Sequence, residues 1–207
     1  MNSKSKEHWQ NVYQNKKPNE TSWFQEQPTV SLNLIRKTNL DHEQSIIDIG
    51  GGASILVDKL FDEGFKNLTV VDISEKALDY AKERLGKQSQ GITWIAADIT
   101  EHNFQEQYHL WHDRAVFHFM IGKEAKERYK QNLNEALLIG GYLIIATFAL
   151  DGPNKCSGLE VERYDTKKLQ IELGAQFSLL QSIENEHQTP WGTKQKFTYC
   201  LFVKVSI

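Results

Sequence analysis

Apolar positions along this chain change their spacing repeatedly, and each change marks an element. The run Ile46–Ile49 predicts a strand, followed by a helix over residues 54–63 that Gly64 stops. Leu68–Asp72 predicts a second strand, then a helix over Glu75–Leu85 with Ser74 as N-cap and Gly86 just past its end. Ile92–Ala96 predicts the third strand, leading to Asp98, and residues 110–115 the fourth. A helical pattern over residues 123–138 ends at Gly140-Gly141. Residues 142–148 are a near-continuous apolar run, as a strand buried on both faces should be. A loop with Gly152, Pro153 and Gly158 then precedes a helix at Thr166–Leu173. Residues 177–184 and 195–205 predict two strands joined by a turn at Pro190-Trp191-Gly192.

The first 40 or so residues are different in kind. Residues 5–15 suit a helix with Trp9 and Tyr13 one turn apart on the same face. Pro18 ends it, and Pro28 opens a second short helix containing Val30, Leu32, Leu34 and Ile35.

The chemistry concentrates in Ser45-Ile46-Ile47-Asp48-Ile49-Gly50-Gly51-Gly52-Ala53-Ser54, with Asp72 following 22 residues after Gly50. A strand, a glycine turn, a helix and a second strand ending in an acid form a βαβ unit that holds a nucleoside. Glycines let the backbone turn tightly and approach a ligand, and a carboxylate at the end of the second strand can accept both ribose hydroxyls. The dinucleotide fingerprint asks for a third glycine where this chain has Ile55, and no lysine follows the glycines until Lys59, so both the dinucleotide and the Walker patterns fail. The acid before the turn suits a ligand bearing an ammonium group better than one bearing a pyrophosphate.

Composition narrows the setting. At 207 residues the chain has the size of one ordinary domain, expected here as a single unit over 1–207 with residues 1–44 as a helical segment on a core of 45–207. No run of about 18 apolar residues exists, so no membrane span is expected. The polar opening decamer carries no apolar signal core, and Cys156 and Cys200 are too few for a disulfide framework, which predicts a cytoplasmic protein. A net charge of −3 argues against a broad nucleic-acid surface. No metal site is expected.

Asp48, Gly50 and Gly52 resemble the Asp-x-Gly-x-Gly motif of class I S-adenosylmethionine-dependent methyltransferases, with Ser54 where many members carry a third glycine. The block His8-Trp9-Gln10-Asn11-Val12-Tyr13 with Ser22-Trp23-Phe24 is similar to the opening of lysine methyltransferases that act on elongation factor 1A. Their Asp-Lys-Gly type motif after strand four is replaced here by Asp113-Arg114-Ala115. The resemblance implies an α/β fold: a doubly wound, Rossmann-like seven-stranded sheet, mostly parallel, with a C-terminal antiparallel β-hairpin. It implies S-adenosyl-L-methionine as cofactor and S-adenosyl-L-homocysteine as product. Asp48, Gly50, Gly51 and Gly52 would hold the methionyl end, Asp72 the ribose with Ile73 against the adenine, and Asp98 the adenine amino group with Ile99 beside it. Asp113 would meet the methionine moiety, and Trp9, Tyr13 and Trp23 would form a lid.

The acceptor side rests on Asp113, Arg114 and His118 as candidate catalytic residues, with His112, Cys156, His187 and Trp191 near them. Arg114 could clamp an anionic substrate or pair with a structural acid, and His118 could act or simply fill the core. The expected activity is methyl transfer to a small-molecule acceptor. Protein lysine methylation and non-catalytic cofactor binding are the alternatives.

Overall fold

In the computed structural model, which describes residues 3–206, β1 (Ile46–Ile49) lies inside one sheet, third from its edge. Met1, Asn2 and Ile207, the outermost residues of the expected 1–207 unit, lie outside the described residues. Ahead of β1 stand α1 (Ser3–Asn15), a 3-10 turn at Pro18–Glu20 and α2 (Thr29–Lys37). After it come α3 (Leu56–Asp62), β2 (Leu68–Asp72), α4 (Glu75–Leu85), β3 (Ile92–Ala96) and β4 (Tyr108–Arg114). The chain continues through α5 (Lys123–Ala136), β5 (Leu137–Phe148), a two-strand ribbon of β6 (Lys155–Cys156) and β7 (Leu159–Glu160), and α6 (Thr166–Leu173). It ends in β8 (Phe177–Gln188) and β9 (Lys194–Lys204).

The seven-stranded sheet runs in the order β3-β2-β1-β4-β5-β9-β8. Its first five strands are parallel, while β9 lies antiparallel to both β5 and β8. The strand order reverses beside β1, between β1 and β4, which opens a crevice at the carboxyl ends of those strands. This is the α/β, doubly wound arrangement with a C-terminal hairpin that the pattern predicts.

Both faces are covered, as a largely parallel sheet requires. On one face Ile46, Leu110 and Ile144 pack with Leu34 and Ile35 of α2, Leu56 and Leu60 of α3 and Leu78 of α4. On the other, Ile47, Trp111 and Ile145 pack with Tyr129 and Leu133 of α5 and Leu169 of α6. Strand β5 begins at Leu137 rather than at residue 142, directly off α5. Its two glycines lie inside the strand, at an irregularity where the pairing with β4 shifts register. Gly140 adopts φ +80°, so the pair that reads as a helix stop serves as a kink within a strand.

Alternation along β4 sorts its side chains between the two faces. Trp111 and Asp113 go to the α5 side, where Trp111 Nε1 donates to Tyr129 Oη at 3.0 Å and Tyr129 Oη donates to Asp113 Oδ2 at 2.6 Å. All three residues are fully buried. Tyr129→Phe removes the acceptor of a buried indole N–H and a donor to a buried carboxylate. A loss of about 1–3 kcal/mol in urea denaturation is expected, and unchanged stability would contradict this account of the chain.

Candidate active site

Above the carboxyl ends of β1, β2, β3 and β4 lies a cleft of about 690 Å³. Its floor is the glycine turn after β1. Gly50 takes φ +69°, and a side chain there would meet Val116. A Cβ on Gly51 would run into the Asp48 carboxylate, and one on Gly52 would lie 2.7 Å from Asp72 Oδ2. The turn is therefore threaded between two buried carboxylates.

Both acids are held from below. Asp48 Oδ1 lies 2.6 Å from His112 Nδ1, on the neighbouring strand at the paired register position, and His112 Nε2 is 2.9 Å from Ser31 Oγ. The imidazole thus bridges the Asp48 carboxylate and the Ser31 hydroxyl. Asp48 Oδ2 is buried without a partner. Asp72 accepts from the Gly52 N–H at 3.1 Å and the Ser74 N–H at 2.8 Å, and burial pushes its carboxyl up to about 6.

Asp72, Ile73, Asp98 and Ile99 line one end of the cleft. Asp98 Oδ1 accepts from the Thr100 N–H and hydroxyl at 2.9 and 2.7 Å. The other end is walled by Arg114, Phe119 and Cys156. Trp9, Tyr13 and Trp23 also line it, joined edge to face, with ring centroids 5.6 Å apart for Trp9 and Trp23 and 6.2 Å for Tyr13 and Trp23. Trp23 Nε1 donates to Tyr13 Oη at 3.1 Å, and Trp9 meets Phe119 at 5.2 Å. Helix α1 is fastened to the start of α4 by Gln10, whose Oε1 accepts from Ser74 Oγ at 2.9 Å and from the Lys76 N–H at 3.2 Å.

The methyltransferase-domain family matches residues 46–141, from the start of β1 into β5. The fold is shared with the N-methyltransferase NodS of Bradyrhizobium japonicum in complex with S-adenosylhomocysteine. The TM-score is 0.72 over 95% of this chain and 98% of that one, at 17% identity. Residues 46–141 of this chain are thus similar to a methyltransferase domain, and the fold is the one that S-adenosylhomocysteine-bound enzyme has. Among curated proteins, a malonyl-[acyl-carrier protein] O-methyltransferase of Anoxybacillus flavithermus is 36% identical over 112 residues, 51% of this chain and 39% of that protein. Human EEF1A lysine methyltransferase 2 is 24% identical over 160 residues, 69% of this chain and 67% of that protein. The chain thus spans about two-fifths of the length of the first of these relatives.

The residues at these strand ends fit S-adenosylmethionine in charge. Asp72 lines the cleft and keeps lone pairs beyond its two backbone bonds, while Asp48, whose unpartnered oxygen suits an ammonium, lines an adjoining hollow together with Gly50 and Gly51. Two expected site residues are not brought there. Asp113 is fully buried on the opposite face, accepting from the Val116 and Phe117 amides at 2.9 and 3.0 Å as well as from Tyr129. Strand alternation aims it away from the cleft and leaves Arg114 on the cleft side. His118 is fully buried against Phe119 and Phe148 with neither ring nitrogen bonded, and burial, with the Arg114 charge, pushes it down to about 3.

Of the remaining neighbours, His187 Nε2 donates to the Ser22 carbonyl at 2.8 Å, and Trp191 lies exposed at the hairpin turn. Cys156 reaches the cleft, but burial pushes its thiol up to about 12, so it is a neutral wall. Gln10, Ser31 and Tyr129 do not stand out in the sequence, because their partners lie far along the chain.

Two outcomes follow from this geometry. Gly51→Ala forces the turn against Asp48 and is expected to lower stability by about 1–3 kcal/mol and weaken S-adenosylhomocysteine binding in calorimetry, whereas binding at full strength would contradict the packing. The Asp72 carboxyl rises from 3.8 to about 6, so the ionised acceptor is lost as pH falls through about 6. Affinity for S-adenosylhomocysteine should fall over that window, and Asp72→Asn should flatten the profile. A wild-type affinity that is constant from pH 5 to pH 7.5, values chosen to bracket a transition at about 6, would contradict an ionised Asp72 as ligand.

Proposed function

We propose that this enzyme transfers a methyl group from S-adenosyl-L-methionine to a small-molecule acceptor, leaving S-adenosyl-L-homocysteine. The reading is of one catalytic domain over 1–207, with residues 1–44 as its lid. The observation that carries it is the glycine turn bracketed by Asp48 and Asp72, opening into a cleft that aromatic side chains cover. No helix among the described residues is long and apolar enough to cross a membrane, and both cysteines are buried free thiols, which supports a cytoplasmic setting.

When bound, the cofactor supplies a methyl group activated on a sulfonium, so the protein's work is orientation and exclusion of water. In this reading Asp48 Oδ2 and the amides of the turn take the methionyl end. Asp72 takes the ribose hydroxyls, Ile73 and Ile99 flank the adenine, and Asp98 accepts from its amino group. Trp9, Tyr13 and Trp23 close the cleft, and an aromatic face beside a sulfonium contributes about 0.5–2 kcal/mol. A carboxylate acceptor needs no base, whereas a hydroxyl or ammonium must first lose a proton.

Similarity to proteins named as O- and N-methyltransferases supports a heteroatom acceptor. The match to EEF1A lysine methyltransferase 2 keeps a protein lysine as a second reading. Incubation with methyl-tritiated cofactor and a lysate of the source cells separates them. Label in the small-molecule fraction is the expected result. Label confined to a protein band would favour the second reading, and no transfer by a cofactor-loaded protein would leave a binding protein without turnover.

A further inference from the structure

Arg114 is a half-buried cation that no anion pairs with among the described residues. Its Nε donates to Tyr199 Oη at 2.8 Å and its Nη1 to the Trp23 carbonyl at 2.9 Å, both neutral acceptors. Its guanidinium carbon lies 4.5 Å from the centre of the Phe197 ring. Nη2 is buried and has no partner, and Arg114 forms no ion pair among the described residues. Asp48 lines the same second hollow but makes no ion pair with Arg114, and the other ionisable neighbours add no negative charge. Burial, reinforced by Arg114, holds His118 and His187 below their ordinary range, and Cys156 stays protonated. A buried guanidinium nitrogen with both N–H groups unanswered, on a half-buried side chain, is destabilising unless something supplies the missing acceptor.

The residue also stands in an informative place. It lines the main cleft beside Phe119 and Cys156, away from the Asp72 and Asp98 end. It also lines a second hollow of about 560 Å³ that shares Tyr13, Trp23, Ile49 and Gly50 with that cleft. Two bonds and a stacked ring fix the guanidinium plane, so little side-chain freedom remains to be lost on binding.

We propose that Arg114 is the anchor for a carboxylate on the methyl acceptor, so that this enzyme takes small carboxylic acids in preference to neutral compounds of the same shape. The inference rests on the cofactor reading above. The carboxylate accepts from Nη2, completing the donor set that Tyr199 and the Trp23 carbonyl leave open. The aromatic rings of Trp23 and Phe119 then face the remainder of the acceptor.

The test uses full-length protein saturated with S-adenosylhomocysteine and ligand-observed NMR with matched pairs of small arylacetic acids and their primary amides. Wild-type protein is expected to hold the acids about ten-fold or more tightly than the amides. Arg114→Met should abolish that preference, and Arg114→Lys should retain part of it. Tyr199→Phe, which removes the Nε acceptor and leaves Nη2 in place, should keep it and controls for repacking. Equal retention of acids and amides by wild type, or a preference that survives Arg114→Met, would overturn the proposal. Affinities for S-adenosylhomocysteine and 5′-methylthioadenosine, which lacks the amino-acid end, are measured on each variant and should change little. If Arg114→Met weakens the first but not the second, the guanidinium serves the cofactor's own carboxylate and the acceptor assignment fails. Wild-type protein that binds neither nucleoside would instead overturn the cofactor reading itself.

Discussion

Two buried carboxylates and a backbone turn share one small volume at the end of β1, and the rest of the site depends on that crowding. The turn passes between Asp48 and Asp72 with no space for a Cβ at Gly51 or Gly52. Each acid is kept in place by a different neighbour: Asp48 by His112 from β4, and Asp72 by the amides of Gly52 and Ser74. Because β1 pairs with β2 on one side and β4 on the other, the sheet register itself brings these groups together. A polar floor of this kind is stable only when its groups are answered, and one Asp48 oxygen among them is left unpartnered.

The cover is built on the same edge. Gln10 fastens α1 to the first turn of α4, where Asp72 also accepts from Ser74, so the glycine-turn floor and helix α1 meet at a single residue. Trp9, Tyr13, Trp23 and Phe119 then form a chain of edge-to-face contacts across the opening. Burial, and then the Asp72 charge, hold the Tyr13 hydroxyl well above its ordinary range. It is therefore a neutral group that can donate and accept without adding charge.

The parts of this architecture that were legible in the sequence are those set by local order. Strands β1 and β2, their turn, and the acids at positions 48, 72 and 98 lie within a few residues of the glycines or of a strand end. Asp113 shows where such reading is out of phase: one position from Arg114, which lines the cleft, it lies on the other face. The alternation Trp111, Asp113 against His112, Arg114 held that information, because a buried tryptophan and its second neighbour must share a side. Gln10 and Ser31 offered no local signal, as their partners lie 64 and 81 residues away. Gly140 and Gly141 read as a helix stop because a kink inside a strand asks for the same residue type.

Calorimetric titration of the full-length protein with S-adenosylmethionine and S-adenosylhomocysteine, with NAD as control, tests the central claim most directly. Micromolar binding of the two sulfur nucleosides and none of NAD is the predicted result. A folded, ligand-free protein that binds neither of them would contradict the assignment of this cleft, and with it the functional reading built on Asp48 and Asp72.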